Sequence, residues 1–206
     1  MRTIVVASQK GGVGKTTVAG HLGVAAEMAG AGPVALIDTD PQGSLSSWWN
    51  ERTSETPLFA QVDIRKLSEH LAALSKAGIK LTVIDTPPAV TDRIQQVLSE
   101  ADLVVIPTRP SPHDLRAVGS TVEMVEKSGK RMVFVINGAA SRARITGEAA
   151  VALSQHGTVA PVTLHQRTDF ASSMIDGRTV LEIDPKGKSA EEMRSLWKYV
   201  DKQLRK

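Results

Sequence analysis

The sequence predicts an α/β domain in which a mainly parallel, twisted sheet is covered by helices on both faces. Short apolar runs, each long enough for one buried strand, alternate with longer segments whose apolar residues recur at helical spacing. Such alternation is typical of parallel sheets, because each parallel connection needs a crossover. The 206 residues suffice for one substantial core, and no repeat, low-complexity stretch or linker divides them. We therefore expect a single domain over residues 1–206.

The elements follow in chain order from these patterns. Strands are predicted at residues 4–7, 34–37, 81–84, 103–106, 130–136 and 159–164. Helices are predicted at residues 18–29, 44–50, 63–77, 91–99, 114–127, 145–156 and 191–204. Residues 50–60 are polar and contain Pro57, so we interpret them as a loop.

A glycine-rich stretch, K-G-G-V-G-K-T-T at residues 10–17, joins the first strand to the first helix. Glycines let successive backbone N–H groups turn inward around a phosphate, and the following helix adds its positive dipole end. Lys15 is placed to neutralise the β- and γ-phosphates, and Thr16 to offer its hydroxyl to Mg²⁺. We expect a nucleotide and Mg²⁺ as cofactors, with the nucleotide bound by Gly11, Gly12, Val13, Gly14, Lys15, Thr16 and Thr17.

Acidic residues end two of the predicted strands. Asp38 and Asp40 follow residues 34–37, and Asp85 ends residues 81–85 in the form of a Walker B strand, whose acid holds Mg²⁺. The carboxyl ends of strands form the ligand-binding edge of an open α/β sheet. Helix capping is the alternative for one of the first two acids, because a helix is predicted from Ser44.

The glycine-rich loop departs from the usual G-x-x-x-x-G-K-[ST] pattern, since Gln9 stands where the first glycine would fall and Lys10 follows it. This departure resembles the deviant phosphate loop of the ParA/MinD family, K-G-G-x-G-K-[ST]. In that family the early lysine reaches across a dimer interface to the partner's nucleotide. The resemblance implies that Lys10 and Lys15 are both catalytic and that the ATP-bound form is a homodimer.

Other segments resemble the same family at residues 38–43, 85–89, 107–115 and 165–180. Within the second of these, Ala89 stands where the family has a glycine. The resemblance implies that Asp40 positions the attacking water and that Asp38 organises the Mg²⁺ shell. It also places Asn137 against the adenine edge. The metal residues would then be Thr16, Asp38 and Asp85.

Charge is unevenly distributed along the chain, although the formal net charge is only +3. Residues 1–126 hold 11 Lys+Arg and 14 Asp+Glu, whereas residues 127–206 hold 14 and 8. A basic C-terminal part permits contact with nucleic acid or an anionic membrane surface, although solvated helix faces give similar counts. The DNA-binding candidates are Arg142, Arg144, Arg167 and Arg178. For Arg142 and Arg144, contact with a dimer partner and a purely solvated loop are equal alternatives.

The resemblance implies a small partition ATPase of the ParA type. Such proteins segregate plasmids or chromosomes: an ATP-sandwich dimer binds nonspecific DNA, and a centromere-binding partner protein stimulates hydrolysis and releases it. No apolar run approaches the roughly 18 residues of a membrane span, and the first residues start a strand rather than a signal peptide. We therefore expect a cytoplasmic, nucleoid-associated protein without membrane contact.

Two alternatives stay open. A MinD-like positioning ATPase at a membrane would need a detachable amphipathic tail, whereas residues 191–204 are interpreted as a helix that packs on the sheet. A metabolic phosphate-loop ligase or kinase would turn over ATP only with its small substrate. The chain has no cysteine, which excludes disulfides and the iron–sulfur proteins of the same superfamily.

Overall fold

The strands lie where the sequence places its apolar runs. In the computed structural model, which describes residues 1–89 and 91–206, they are β1 (Arg2–Val6), β2 (Val34–Asp38), β3 (Leu58–Phe59), β4 (Leu81–Asp85), β5 (Leu103–Thr108), β6 (Met132–Ala139), β7 (Thr158–Val159) and β8 (Leu164–His165). They pair in the order β3-β2-β4-β1-β5-β6-β7, with β8 also beside β6. All of these pairings are parallel, which confirms the predicted fold class.

The helices alternate with the strands. They are α1 (Lys15–Met28), α2 (Ser44–Asn50), α3 (Leu67–Lys76), α4 (Asp92–Ser99), α5 (Pro112–Lys127), α6 (Arg144–Ser154), α7 (Thr168–Ser173), α8 (Val180–Ile183) and α9 (Lys188–Leu204). Short 3₁₀ turns at Ile64–Lys66 and Met174–Asp176 precede α3 and follow α7. Local caps set several of the boundaries. Thr91 caps α4, and Ser111 with Pro112 begins α5 two residues before the predicted start.

Two apolar cores lie on opposite faces of the sheet, because successive side chains of a strand point to opposite sides. Ile4 and Val6 belong to the core that α1, α2, α8 and α9 cover, whereas Val5 belongs to the core under α3 to α6. α9 buries its apolar residues, among them Trp197 and Val200, in the first core. No helix in residues 1–89 and 91–206 is long and apolar enough to cross a membrane.

Two predictions about the strands are wrong. The strand expected at residues 159–164 is divided into β7 and β8, which pair with different parts of β6. Pro161 lies between them and has no N–H to donate to a ladder, so the edge is interrupted there. The expected loop at residues 50–60 contains β3, a two-residue edge strand paired with β2.

Candidate nucleotide site

The site lies at the carboxyl ends of three neighbouring strands, β2, β4 and β1. Asp38 at the end of β2 and Val6 at the end of β1 are both register partners of Asp85 at the end of β4. The chain leaves β1 directly into the glycine-rich loop, so this loop and two of the predicted acids meet at one edge of the sheet. β1 lies between β4 and β5, at the point in an open α/β sheet where ligands bind.

The glycine-rich loop has the backbone conformation that its glycines permit. Gly12 and Gly14 have φ of 74° and 90°, in the left-handed region that side chains rarely adopt. A Cβ at Gly14 would lie 2.3 Å from Asn137 Nδ2, which donates a 2.7 Å hydrogen bond to the carbonyl of Val13. Gly14 therefore admits Asn137 against the loop, and Asn137 ties the loop to β6. Contact between Asn137 and an adenine stays a prediction.

α5 supports the start of the loop through Gln9. The backbone N–H of Gln9 donates to Thr121 Oγ1 at 3.1 Å, and Gln9 Nε2 donates to the carbonyl of Ser120 at 2.8 Å. A glycine at residue 9 could also donate the first of these bonds, so the glutamine side chain adds one contact to a neighbouring helix, the bond to Ser120. No local pattern at residue 9 signals these partners, because they lie 112 and 111 residues further along the chain.

The two lysines of the loop differ in exposure. Lys15 is buried, and its Nζ donates to the carbonyl of Lys10 at 3.3 Å, while Lys10 itself is exposed. Burial lowers the pKa of Lys15, an effect that the charges of Asp85 and Asp40 partly offset. Lys15 is therefore a cation held inside the site, whereas the Lys10 side chain is available at the surface.

Thr16 and Asp85 form the polar centre of the site. Thr16 Oγ1 donates a 2.6 Å hydrogen bond to Asp85 Oδ2, and Asp85 is fully buried. Burial raises the pKa of Asp85 to about 7, and the nearby Asp38 charge adds to this effect, while the Thr16 hydrogen bond and Lys15 oppose it. With this pKa, the ionised form of Asp85 is only partly populated near neutral pH, and a further positive charge nearby would stabilise it. A divalent cation beside it would restore full ionisation.

Asp38 and Asp40 differ in how far the backbone uses their oxygens. Asp38 Oδ2 accepts from the N–H groups of Leu45 and Ser46 at 2.9 and 3.0 Å, and its Oδ1 accepts from Asp40 N–H at 3.0 Å. The capping alternative therefore applies to Asp38, which holds the first turn of α2. Asp40 is half-buried, and its Oδ1 accepts from Gln42 N–H at 2.9 Å. The metal role of Asp38 and the catalytic role of Asp40 stay predictions.

The residues present fit a nucleotide with Mg²⁺. In the described residues no group of three or more His, Cys, Asp or Glu side chains is arranged to hold a metal ion. Mg²⁺ does not require one, because it is commonly held by one or two protein oxygens together with phosphate oxygens and water. Thr16 and Asp85 offer such oxygens beside the buried Lys15. A Cβ at Gly11 or Gly12 would meet no described atom within 4 Å, so the inner turn of the loop is open to a phosphate.

The four arginines predicted to contact DNA lie in different places. Three of them form ion pairs: Arg144 with Glu148, Arg167 with Glu192 and Arg178 with Asp176. Arg142 is exposed and has a left-handed φ of 59° in the turn before α6. The paired carboxylates offset much of the charge that DNA would meet at the other three. DNA contact by these arginines stays a prediction.

Two buried polar residues near the site, His21 and Arg52, were not predicted. His21 lies on α1 one turn after Thr17, and Arg52 follows the last turn of α2. Each has a partner far along the chain: His21 Nε2 accepts from Val180 N–H, and Arg52 pairs with Glu182. These partners lie 159 and 130 residues away, so no local pattern points to either contact.

A glycine-rich loop between a parallel strand and a helix, with Lys15, Thr16 and a buried acid gathered at its foot, defines a phosphate-loop nucleotide-binding protein. The chain belongs to the CobQ/CobB/MinD/ParA nucleotide-binding domain family, CbiA, whose family model matches residues 4–180. The resemblance to the ParA/MinD family drawn from the motifs is confirmed.

Similar proteins carry several different names. Maintenance of carboxysome distribution protein A from Halothiobacillus neapolitanus is 30% identical over 204 residues, which cover 92% of this chain and 91% of that protein. Chromosome-partitioning ATPase Soj from Thermus thermophilus is 30% identical over 157 residues, or 62% of each. The solved structure of septum site-determining protein MinD from Pyrococcus horikoshii, complexed with Mg-ADP, has a TM-score of 0.80 at 21% identity. The match covers 98% of this chain and 96% of the MinD chain, and it shows that the two proteins share a fold.

Proposed function

We propose that this protein is a Mg²⁺-dependent ATPase that partitions DNA. An ATP-bound homodimer binds DNA nonspecifically, and a centromere-binding partner protein stimulates hydrolysis to ADP and phosphate and so resets the cycle. The observation that carries the proposal is the Thr16–Asp85 hydrogen bond beside the buried Lys15, in a family member similar to chromosome-partitioning proteins. The exposed Lys10 supports the dimer, and the basic C-terminal part supports contact with DNA.

Different residues at the edge of the sheet bind the nucleotide and carry out the chemical step. The N–H groups of the loop and the Lys15 ammonium group hold the phosphates, and Thr16 with Asp85 holds Mg²⁺. When bound, Mg²⁺ supplies positive charge that offsets the charge on the phosphates during phosphoryl transfer. Asp40 orients a water molecule and accepts its proton. Asp38 keeps Asp40 in place, because one of its carboxylate oxygens accepts from Asp40 N–H and the other from the first turn of α2.

A variant of Lys10 tests the proposed ATP-bound homodimer. Since Lys15 is buried and Lys10 exposed, Lys10→Ala should leave nucleotide affinity within about twofold of wild type while it abolishes stimulated turnover. ATP-dependent dimerisation, measured by analytical ultracentrifugation, should be lost in the same variant. Lys80→Ala, which removes an exposed lysine at the opposite end of the strands, is the matched control. Unchanged stimulated turnover in Lys10→Ala would remove Lys10 from the mechanism.

The described residues suggest a DNA surface on α9. Arg194, Lys198 and Lys202 are all exposed and stand four residues apart, so they form one cationic row along this helix. Successive members are separated by about 6 Å of helix rise, so the three cations lie close enough together to face one anionic surface. This row is a candidate DNA surface in addition to the four arginines predicted from the sequence.

Binding to random-sequence DNA across a salt series tests the proposed function. With Mg²⁺ and ATP the affinity should fall steeply as salt rises, because cations that neutralise phosphates release counterions. Lys198→Gln should lower the slope of log K against log salt by roughly one unit, and so should Lys202→Gln. The same series with ADP provides the control. A chain that hydrolyses ATP but does not bind DNA at low salt would disprove partition and keep the ATPase.

Distribution of a protein assembly is a second candidate function. It is favoured by the similarity to a carboxysome distribution protein over nearly the full length of both chains. The same ATP cycle would serve either cargo, so the partner decides between them. A stimulating partner that binds a specific DNA sequence supports DNA partition, whereas one that binds a protein assembly supports the second candidate.

Packing of α9 argues against the membrane alternative. Its apolar residues lie in the core beside α1, so they are engaged in the fold. ATP-dependent pelleting with anionic liposomes would overturn this argument. A metabolic ligase or kinase would instead need a small substrate for turnover and would not respond to DNA.

A further inference from the structure

Arg52 is a buried cation that lies outside the nucleotide loop. It directly follows the final turn of α2, and only 2% of its side chain is exposed. Its guanidinium carbon lies 4.9 Å from the centroid of the Trp48 ring, at cation–π distance. A buried guanidinium is costly unless the chain supplies acceptors for it, so its partners are informative.

The acceptors of Arg52 come from two distant parts of the chain. Nη2 donates to Glu182 Oε1 at 2.8 Å and to the carbonyl of Thr56 at 2.7 Å, while Nη1 donates to the carbonyl of Gly177. Glu182 also accepts from the backbone N–H of Thr179 at 2.7 Å and so caps α8. Burial opposes ionisation of Glu182, but the hydrogen bonds from Arg52 and Thr179 outweigh it and lower its pKa.

Two further contacts hold α2 against the same segment. Trp48 Nε1 donates to the carbonyl of Arg178 at 3.1 Å. A Cβ at Gly177, where φ is 73°, would lie 2.4 Å from the backbone nitrogen of Arg52, so only glycine allows this approach. We call the group formed by Trp48, Arg52, Gly177, Arg178 and Glu182 the junction.

The other end of α2 reaches the nucleotide site. Asp38 accepts hydrogen bonds from the first turn of α2 and from Asp40 N–H. α2 has seven residues and is therefore only about 10 Å long. Such a short helix moves as one piece. The position of its last turn at the junction therefore sets the position of its first turn beside Asp40.

α1 contacts the same C-terminal segment through His21. Because a backbone N–H can only donate, the 3.2 Å bond from Val180 makes His21 Nε2 an acceptor. His21 Nδ1 then carries the proton and donates to the carbonyl of Thr17 at 2.8 Å. Residues 177–182 thus touch both helices that begin at the nucleotide site.

We propose that Arg52 is a positioning residue for hydrolysis: by holding α2 at the junction it fixes Asp40 relative to Lys15 and Thr16. The inference rests on the proposed ATPase function. It adds that α2 and residues 177–182 respond together to bound nucleotide, so the C-terminal segment is coupled to the site without touching the phosphates.

Steady-state kinetics on the full chain provide the first test. Arg52→Gln should lower kcat roughly tenfold or more with KM within about twofold, because a small misplacement of a catalytic group is costly. Arg52→Lys should recover part of kcat, since it keeps the charge but cannot reach all of the acceptors. Arg65→Gln is the control, because it also breaks an arginine–carboxylate pair, with Asp63, but the Arg65 side chain is 80% exposed. It should not change kcat. A lower Tm with unchanged kcat in Arg52→Gln would overturn the positioning role.

Hydrogen exchange on the wild-type protein provides a test that needs no variant. Adding Mg·ADP should slow exchange in residues 10–17 and, together with them, in α2 and residues 177–182. Protection of the loop alone would overturn the coupling while nucleotide binding stands. Absence of protection in the loop itself would overturn nucleotide binding and the inference with it. A chain that binds Mg·ADP but does not hydrolyse ATP would refute the proposed ATPase and with it the positioning role of Arg52, whereas the exchange pattern would still decide whether α2 and residues 177–182 are coupled to the site.

Discussion

The nucleotide site and the junction both bury charged groups, but the chain provides these groups with different numbers of hydrogen-bond partners and counter-charges. At the site, burial lowers the pKa of Lys15 and raises that of Asp85 to about 7, so both groups move toward neutrality. At the junction, Arg52 has carbonyl and carboxylate acceptors, and the pKa of Glu182 is lowered despite its burial. The chain thus supplies acceptors for both Nη atoms of Arg52, although its buried Nε has no partner among the described residues, and it leaves the charges of the site to be completed by a ligand.

This difference implies different responses to mutation. Changes at the site should alter binding and chemistry more than stability, because the groups there are incompletely paired in the chain alone. Changes at the junction should first affect stability, because breaking a buried ion pair leaves an uncompensated charge. Three measurements examine this division, and the largest effect is expected at Asp40.

Asp40→Ala should lower kcat by about 100-fold or more, the usual contribution of a positioned general base. Nucleotide affinity and Tm should stay near their wild-type values, since among the described residues the Asp40 carboxylate accepts one hydrogen bond, from Gln42 N–H, and otherwise acts on Lys15 through its charge. The variant should accumulate an ATP-bound dimer, measurable by light scattering. Normal turnover would remove Asp40 from catalysis.

Gly177→Ala should lower the free energy of unfolding by about 1–3 kcal/mol, because the added methyl meets the backbone of Arg52 in a left-handed conformation. Urea unfolding measures this. Gly119→Ala in α5 is the matched control: no described atom lies within 4 Å of the added Cβ, and helix propensity should stabilise it by about 0.5–1 kcal/mol. Equal stability of the two variants would contradict a tight junction.

The contributions of His21 and Asp85 to stability should depend on pH in opposite directions. Burial lowers the pKa of His21 to about 4, so its contribution is complete above its ordinary pKa of 6.5 and is lost as pH falls toward 4. Asp85, with its raised pKa of about 7, acts in the opposite sense, because its contribution is lost as pH rises from 3.8 toward 7. The two slopes therefore oppose each other in the wild type between about pH 4 and 6.5.

His21→Gln removes the pH dependence of the free energy of unfolding that His21 contributes. Relative to wild type, the variant should gain stability as pH falls through this window, by up to about 1.4 kcal/mol per pH unit. Urea unfolding at several pH values, without Mg²⁺, measures the difference between the two profiles. Parallel profiles would show that His21 titrates normally in the folded chain.

Local patterns predicted most of the elements, since periodicity and caps act within a few residues. α2 was predicted at its observed bounds, and Thr91 marked the start of α4. β3 escaped prediction because a two-residue edge strand owes its existence to pairing with β2 rather than to any pattern of its own. α8 was not predicted because four residues are too few to show helical periodicity, although its Thr179–Glu182 capping box is a local signal that could have found it.

The sequence by itself determined the phosphate loop, because its chemistry depends on residue types at fixed local spacing. It likewise placed Asp38 and Asp85 at strand ends. Only the tertiary structure decided that β2, β4 and β1 are neighbours, which brings Asp85 to Thr16, and that Arg52 meets Glu182 across 130 residues. The physical reason is that strand order and buried ion pairs are settled by the packing of the whole core, whereas turns and caps are settled by the residues next to them.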